Sequence, residues 1–259
     1  MTIAAGLCSV TLRAEPVEAV ADLAATCGLT EIEWGGDVHV PPGDAAAARR
    51  AVAAGEAAGV RAASYGSYLL AGEVPTADEV AAVLDTAVAL GAPNVRVWTP
   101  FGATAADRPT VVTALAQVAA AAEARGLTVG IEHHGGTVTD SVPAMAALLD
   151  EVAAPNLFGY WQPPYWGDGS TPATDAAAVA ARGARLSHLH VYEWPGAPTR
   201  LPLAAGAERW SAVLAAVADL PAPVEPRVAF LEFVAGDDPE ALRRDATTLH
   251  RLLQPVVAS

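Results

Sequence analysis

Lysine is missing altogether: all 15 basic residues among the 259 are arginine. No side-chain amine can form an imine, which excludes Schiff-base aldolases and other lysine-dependent mechanisms. Arginine is itself outnumbered by 29 acidic residues, and the formal charge of −14 argues against nucleic acid or anionic lipid as partners, since both require a basic surface. Only two cysteines occur, Cys8 and Cys27, one on a predicted strand and one on the helix after it. They make no disulfide framework and fit a reducing cytoplasm. The N-terminal MTIAAGLCSV has no basic segment before its apolar residues, and no long uncharged apolar run follows, so neither a signal peptide nor a membrane span is expected. No GxGxxG or Walker phosphate loop follows an early predicted strand, which counts against an open nucleotide-binding sheet.

What is present is a large apolar share, 53%, much of it alanine suited to helices packed closely on a sheet. The length suits one (β/α)₈ barrel, and a single domain over residues 1–259 is expected. Strand-like runs at 3–11, 30–34, 60–64, 94–98, 127–132, 157–162, 185–190 and 228–233 alternate with helical patterns at 16–27, 44–58, 77–90, 110–125, 142–152, 175–182, 207–220 and 239–253. Eight such units in strict alternation predict an α/β fold with a parallel sheet closed into a TIM barrel.

The stretch 127–136, LTVGIEHHGG, organises the rest. Its apolar run suits a strand buried on both faces, and it delivers Glu132 at the strand's C-terminal end, where barrels place their chemistry. Three later strands end in similar groups: Gln162, His190 and Glu232. The fifth and eighth strands lie three apart in an eight-strand ring, so Glu132 and Glu232 are expected to face each other across the mouth. Glu33 and Arg96 alternate onto one face of the second and fourth strands, and charges that deep are expected to pair or to touch ligand. Aromatic residues make up only 6% of the chain, yet Trp34, Trp98, Trp161, Trp166 and Trp194 and all five tyrosines fall at C-terminal strand ends or in the loops after them. Flat rings at one mouth suit a sugar or polyol. Tyr65, Tyr165, Trp194, His39, His134 and Arg200 join Glu33 and Arg96 as expected substrate contacts, with Arg200 a clamp for an anionic group. His188, deeper on the strand of His190, reads as an interior histidine, and His250 as a surface one.

The segments GIEHHGGTVTDS, SHLHVYEW with RLPLAAG after it, FLEFVAGDDPE and EIEWGGDVHVPPGD resemble the xylose-isomerase-like barrels, which include sugar and sugar-phosphate isomerases and ketose 3-epimerases. The resemblance covers essentially the whole chain. It implies one divalent ion, manganese first and magnesium, cobalt or zinc as alternatives, held by Glu132, Gln162, His190 and Glu232. It also implies that Glu132 and Glu232 move a proton beside a carbonyl of a small carbohydrate-like substrate. Gln162 departs from the aspartate usual in the family, leaving the ligand set two formal charges instead of three. Tyr165 stands where several relatives carry a histidine. Two other readings stay open: a hydrolase or lyase using the Glu132/Glu232 pair, and a non-catalytic sugar-binding barrel without its metal. A homo-oligomer is compatible with the sequence.

Overall fold

Apolar and β-branched runs bounded by glycine, proline and asparagine form the strands, and alanine-rich runs between polar caps form the helices. The computed structural model describes residues 3–72, 75–165, 170–196 and 199–254; Trp166 lies outside them. The strands of the main sheet are β1 (Ile3–Cys8), β2 (Glu31–Gly35), β3 (Arg61–Leu70), β4 (Asn94–Trp98), β5 (Thr128–Ile131), β6 (Leu157–Trp161), β7 (Leu186–Val191) and β10 (Arg227–Leu231). All pair in parallel with their neighbours in chain order, and β10 pairs with β1 to close the barrel. Helices α1 (Val17–Thr26), α2 (Ala45–Ala58), α3 (Ala77–Leu90), α4 (Arg108–Glu123), α5 (Val142–Val152), α6 (Pro172–Ala180), α7 (Ala207–Ala218) and α8 (Pro239–Leu253) follow the strands one by one. The boundaries have local causes. A Thr76–Glu79 capping box starts α3 and Gly91 at φ 68° ends it, while the Asp44 carboxylate accepts two backbone N–H groups at the start of α2. Among the described residues, no helix is long and apolar enough to cross a membrane.

Three segments differ from the sequence expectation. β1 stops at Cys8, and Ser9–Leu12 form a 3-10 turn instead of more strand. β3 runs to Leu70 instead of stopping near residue 64, because YGSYLL continues the pairing with β4 as far as Leu70 opposite Trp98. The residues that read as a turn serve packing instead. A Cβ on Gly66 would come within 2.8 Å of Arg96 and 2.9 Å of the Glu33 carboxylate. The long seventh loop also contains an antiparallel hairpin, β8 (Glu193–Gly196) with β9 (Thr199–Leu201).

Two apolar regions hold the barrel. The larger lies between strands and helices and includes Leu7, Ile32, Leu84, Val97, Ile131, Leu148, Leu189, Trp210 and Leu249, all fully buried. Burying each leucine or isoleucine contributes about 1.5–3 kcal/mol. The smaller, built on Cys8, Val10, Ala63, Tyr160, Val228 and Phe230, lies inside the barrel. Tyr160 fits because β5 carries Gly130 beside it, where a Cβ would stand 2.3 Å from the ring. His250 is half-buried, not on the surface, and its Nε2 meets the Cys27 carbonyl at 2.9 Å, tying α8 to the end of α1.

Candidate active site at the barrel mouth

Inward positions along β1, β2, β4 and β7, and the residues just past β5, β6 and β10, stack a charged layer on that interior cluster. Cys8, Glu33, Arg96, Glu132, Gln162, His190 and Glu232 are all buried. Arg96 is the hub. Its Nε donates to Glu33 Oε1 at 2.8 Å and its second nitrogen to Glu132, while its guanidinium lies 5.7 Å from the Trp98 ring and 5.9 Å from that of Tyr68. Burial opposes ionisation of Glu33, but Arg96, His190 and the Tyr160 hydroxyl hold its carboxyl well below the usual range. Tyr160 donates to Glu33 Oε2 at 2.9 Å within a network that includes Ser64 and Asn94.

His190 stands between two carboxylates, with Nε2 3.2 Å from Glu33 Oε1 and Nδ1 3.4 Å from Glu232 Oε2. Burial lowers its pKa, yet Glu232 and Glu33 outweigh that and raise it to about 9. Burial, helped by the charge of Glu132, raises Glu232 to about 7 against the pull of His190. The residue after Glu232 is Phe233 at φ 57°, a left-handed conformation that costs a bulky side chain about 1–3 kcal/mol and that clusters at functional sites.

The four residues expected to hold an ion converge here but divide into two pairs. Glu132 Oε1 accepts from Gln162 Nε2 at 3.1 Å, and Glu132 Oε2 accepts from both Arg96 and Trp98. Gln162 also donates to the His133 carbonyl at 2.7 Å, which fixes its amide nitrogen toward Glu132. Among the described residues three donors meet Glu132, two on Oε2 and one on Oε1, and Gln162 is the one on Oε1. His190 Nδ1 and Glu232 Oε2, by contrast, are buried with no hydrogen-bond partner among the described residues. A divalent ion fits that pair and does not fit the Glu132–Gln162 pair in this arrangement. Cys8, not among the expected site residues, lies beside the fitting pair. The expected first strand runs to residue 11 and hides its place at the end of β1, which stops at Cys8.

The remaining expected contacts fall in two groups. His134 stacks on Trp98 at 4.9 Å, and the Tyr165 hydroxyl meets its Nε2 at 3.2 Å. Tyr165 stacks on Trp194 at 4.7 Å, and Arg200 lies over Trp194 and Phe233 while pairing with Asp237. These four form an aromatic rim with one arginine. His39 and Tyr65 stand apart from it: the two His39 ring nitrogens meet Ser9 Oγ at 2.9 Å and the Glu15 carbonyl at 3.1 Å, and the Tyr65 hydroxyl donates to the Val40 carbonyl at 2.8 Å. His188 Nδ1 accepts the Val228 amide at 3.0 Å, and burial lowers its pKa to about 3, so it is a neutral interior group. A cavity of about 530 Å³ opens at the opposite end of the barrel, lined by Glu31, Arg61, Pro93 and Pro226, away from this chemistry.

Residues 21–244 match the family model of the xylose isomerase-like TIM barrel. The chain belongs to that family. No curated protein sequence matches it. Among solved structures it is similar to the probable 3-DHS dehydratase AsbF of Bacillus anthracis, at 16% identity and TM-score 0.78, over 96% of this chain and 99% of that one. It is similar to D-allulose 3-epimerase from Methylomonas sp. in complex with D-allulose, at 18% identity and TM-score 0.72, over 98% of both chains. A third similar structure is 3-keto-D-glucoside 4-epimerase from E. coli, at 14% identity and TM-score 0.73, over 96% of this chain and 99% of that one. At such identities these likenesses describe the xylose-isomerase-like fold.

Proposed function

We propose that this xylose-isomerase-like barrel is an isomerase or epimerase of a small sugar or related polyol, working by proton transfer beside a carbonyl. The observation that carries this reading is geometric: Glu232 Oε2 and His190 Nδ1 stand 3.4 Å apart, buried at one mouth with Glu132. A carboxylate held at such a mouth is a group that can take and return a proton beside a carbonyl. Glu132 and Glu232 sit on strands three apart in the ring, so a substrate carbon between them meets a carboxylate on each side. Glu232 removes the proton. Glu132, backed by Arg96, Trp98 and Gln162, serves the opposite side, and Arg96 keeps Glu33 ionised so that His190 stays oriented. The rim of His134, Tyr165 and Trp194 offers flat faces for sugar C–H groups, and Arg200 a cation for a phosphate or carboxylate. A divalent ion on His190 and Glu232 would polarise the substrate carbonyl and stabilise the enediolate. The names of the similar epimerases support the reading.

The name of the similar dehydratase supports a second reading, since the same deprotonation followed by loss of a β-hydroxyl is a dehydration. One experiment separates them. Incubation with ketoses and hydroxylated keto acids in deuterated water, followed by mass spectrometry, should show solvent deuterium entering a substrate of otherwise unchanged composition. Loss of water would favour the lyase, and absence of both exchange and turnover across a broad panel would leave a sugar-binding barrel.

A further inference from the structure

Cys8 ends β1, the strand between those that carry Glu33 and Glu232. Its Cα pairs with that of Glu33, and Leu7 pairs with Leu231, which puts Cys8 level with Glu232. One ligand atom from each of Cys8, His190 and Glu232 lies within 4.8 Å of the other two, and all three residues are buried. His190 Nδ1 and Glu232 Oε2 face each other as an ion pair at 3.4 Å, and among the described residues neither atom makes a hydrogen bond. Donors about 2.1 Å from one tetrahedral ion stand about 3.4 Å from each other, so this spacing is that of two ligands sharing an ion. The far nitrogen of the same imidazole, Nε2, is 3.2 Å from Glu33 Oε1, the carboxylate–histidine arrangement that orients a metal-bound ring. The Cys8 thiol donates to that same Glu33 oxygen at 3.6 Å, beside the pair, as the third donor of the group.

We infer that Cys8, His190 and Glu232 form a three-ligand cation site that takes a thiolate-accepting ion, zinc or cobalt, in preference to manganese or magnesium. Sulfur is a soft donor and discriminates strongly against hard ions, whereas an all-oxygen and imidazole set does not. Three protein ligands leave a fourth position open to a substrate oxygen, as in catalytic zinc sites. Binding releases the Cys8 thiol proton and the His190 Nδ1 proton to solvent. The inference rests on the proposed reading of this site and adds the donor that decides the ion.

Cobalt(II) titration of chelator-treated full-length protein tests it. The expected result is one cobalt per chain with an intense near-ultraviolet sulfur-to-cobalt charge-transfer band. Cys8→Ser should abolish the band and weaken cobalt binding by at least the about 10–100-fold that loss of an outer-shell partner costs. Cys27→Ser, remote from the mouth, should keep both. The wild-type spectrum decides the matter even if Cys8→Ser folds poorly. Cobalt bound without the sulfur band would remove Cys8 from the ligand set and leave an ion on His190 and Glu232. If neither cobalt nor zinc binds or raises the melting temperature, the site is no cation site and His190 is an imidazolium between two carboxylates. Deuterium exchange by the chelator-treated protein would then still report whether the proton-transfer reading stands.

Discussion

Gln162 donates its amide hydrogen to Glu132 over 3.1 Å, so two residues expected to grip an ion side by side are bonded to each other. Gln162→Asp would place a carboxylate against Glu132 and against the His133 carbonyl, which now accepts the same amide. The metal-free variant should lose about 1–3 kcal/mol of stability, the cost of buried polar groups left unmatched. Added manganese should recover more melting temperature in the variant than in the wild type, because the new charge completes a hard-ion site. Thermal unfolding with and without the ion checks both expectations.

Replacing Glu232 or Glu132 with glutamine keeps each shape and removes a proton-transfer group. Turnover in the deuterium-exchange assay should fall by about 10²–10⁴ in either variant, with the fold intact by circular dichroism. Full activity in either one would dismiss the two-carboxylate mechanism.

Arg96 neutralises two buried carboxylates with one planar head. Arg96→Met leaves Glu132 without its cation and Glu33 with His190 alone, and should cost about 3–5 kcal/mol in urea unfolding. Arg96→Lys should recover only part of this, since a single ammonium cannot reproduce the forked geometry.

Stability of the chelator-treated protein should peak near pH 6–7. Above that range, His190 keeps its proton to about 9 in the folded state while an unfolded histidine loses it near 6.5. Its contribution is therefore complete below about 6.5 and lost as pH rises through 9, on the order of 3 kcal/mol in all. Glu232, raised to about 7, acts in the same direction between about 4.5 and 7. His188 and His133, both lowered to about 3 first of all by burial, act the opposite way: the unfolded chain binds their protons as pH falls below 6.5. Urea midpoints from pH 5 to 9 check the shape; a flat profile from 6.5 to 9 would mean that His190 is not the shared cation.

Local signals made most of the fold legible. α3, α8 and β4 occur where caps, glycines and apolar runs put them, because their boundaries are set within a few residues of chain. The convergence of Glu132, Gln162, His190 and Glu232 followed from strand-end position alone. What escaped depends on neighbours far away in sequence. The extension of β3 exists because Gly66 makes room for Arg96 and Glu33, and the β8–β9 hairpin is hidden in a proline-rich loop. The orientation of the Gln162 amide is set by two acceptors from another strand end, and Cys8 gains its neighbours only when β10 closes on β1.

The missing side chain at Gly130 has a reach beyond packing. Tyr160 occupies the space a methyl group would take there, and its hydroxyl is one of the contacts that keep Glu33 charged beside His190. A single carbon added at residue 130 would displace that phenol and alter the acidity of groups it never touches. Proton chemistry at the mouth is thus open to adjustment from within the barrel, by substitutions that would look from outside like ordinary changes of core volume.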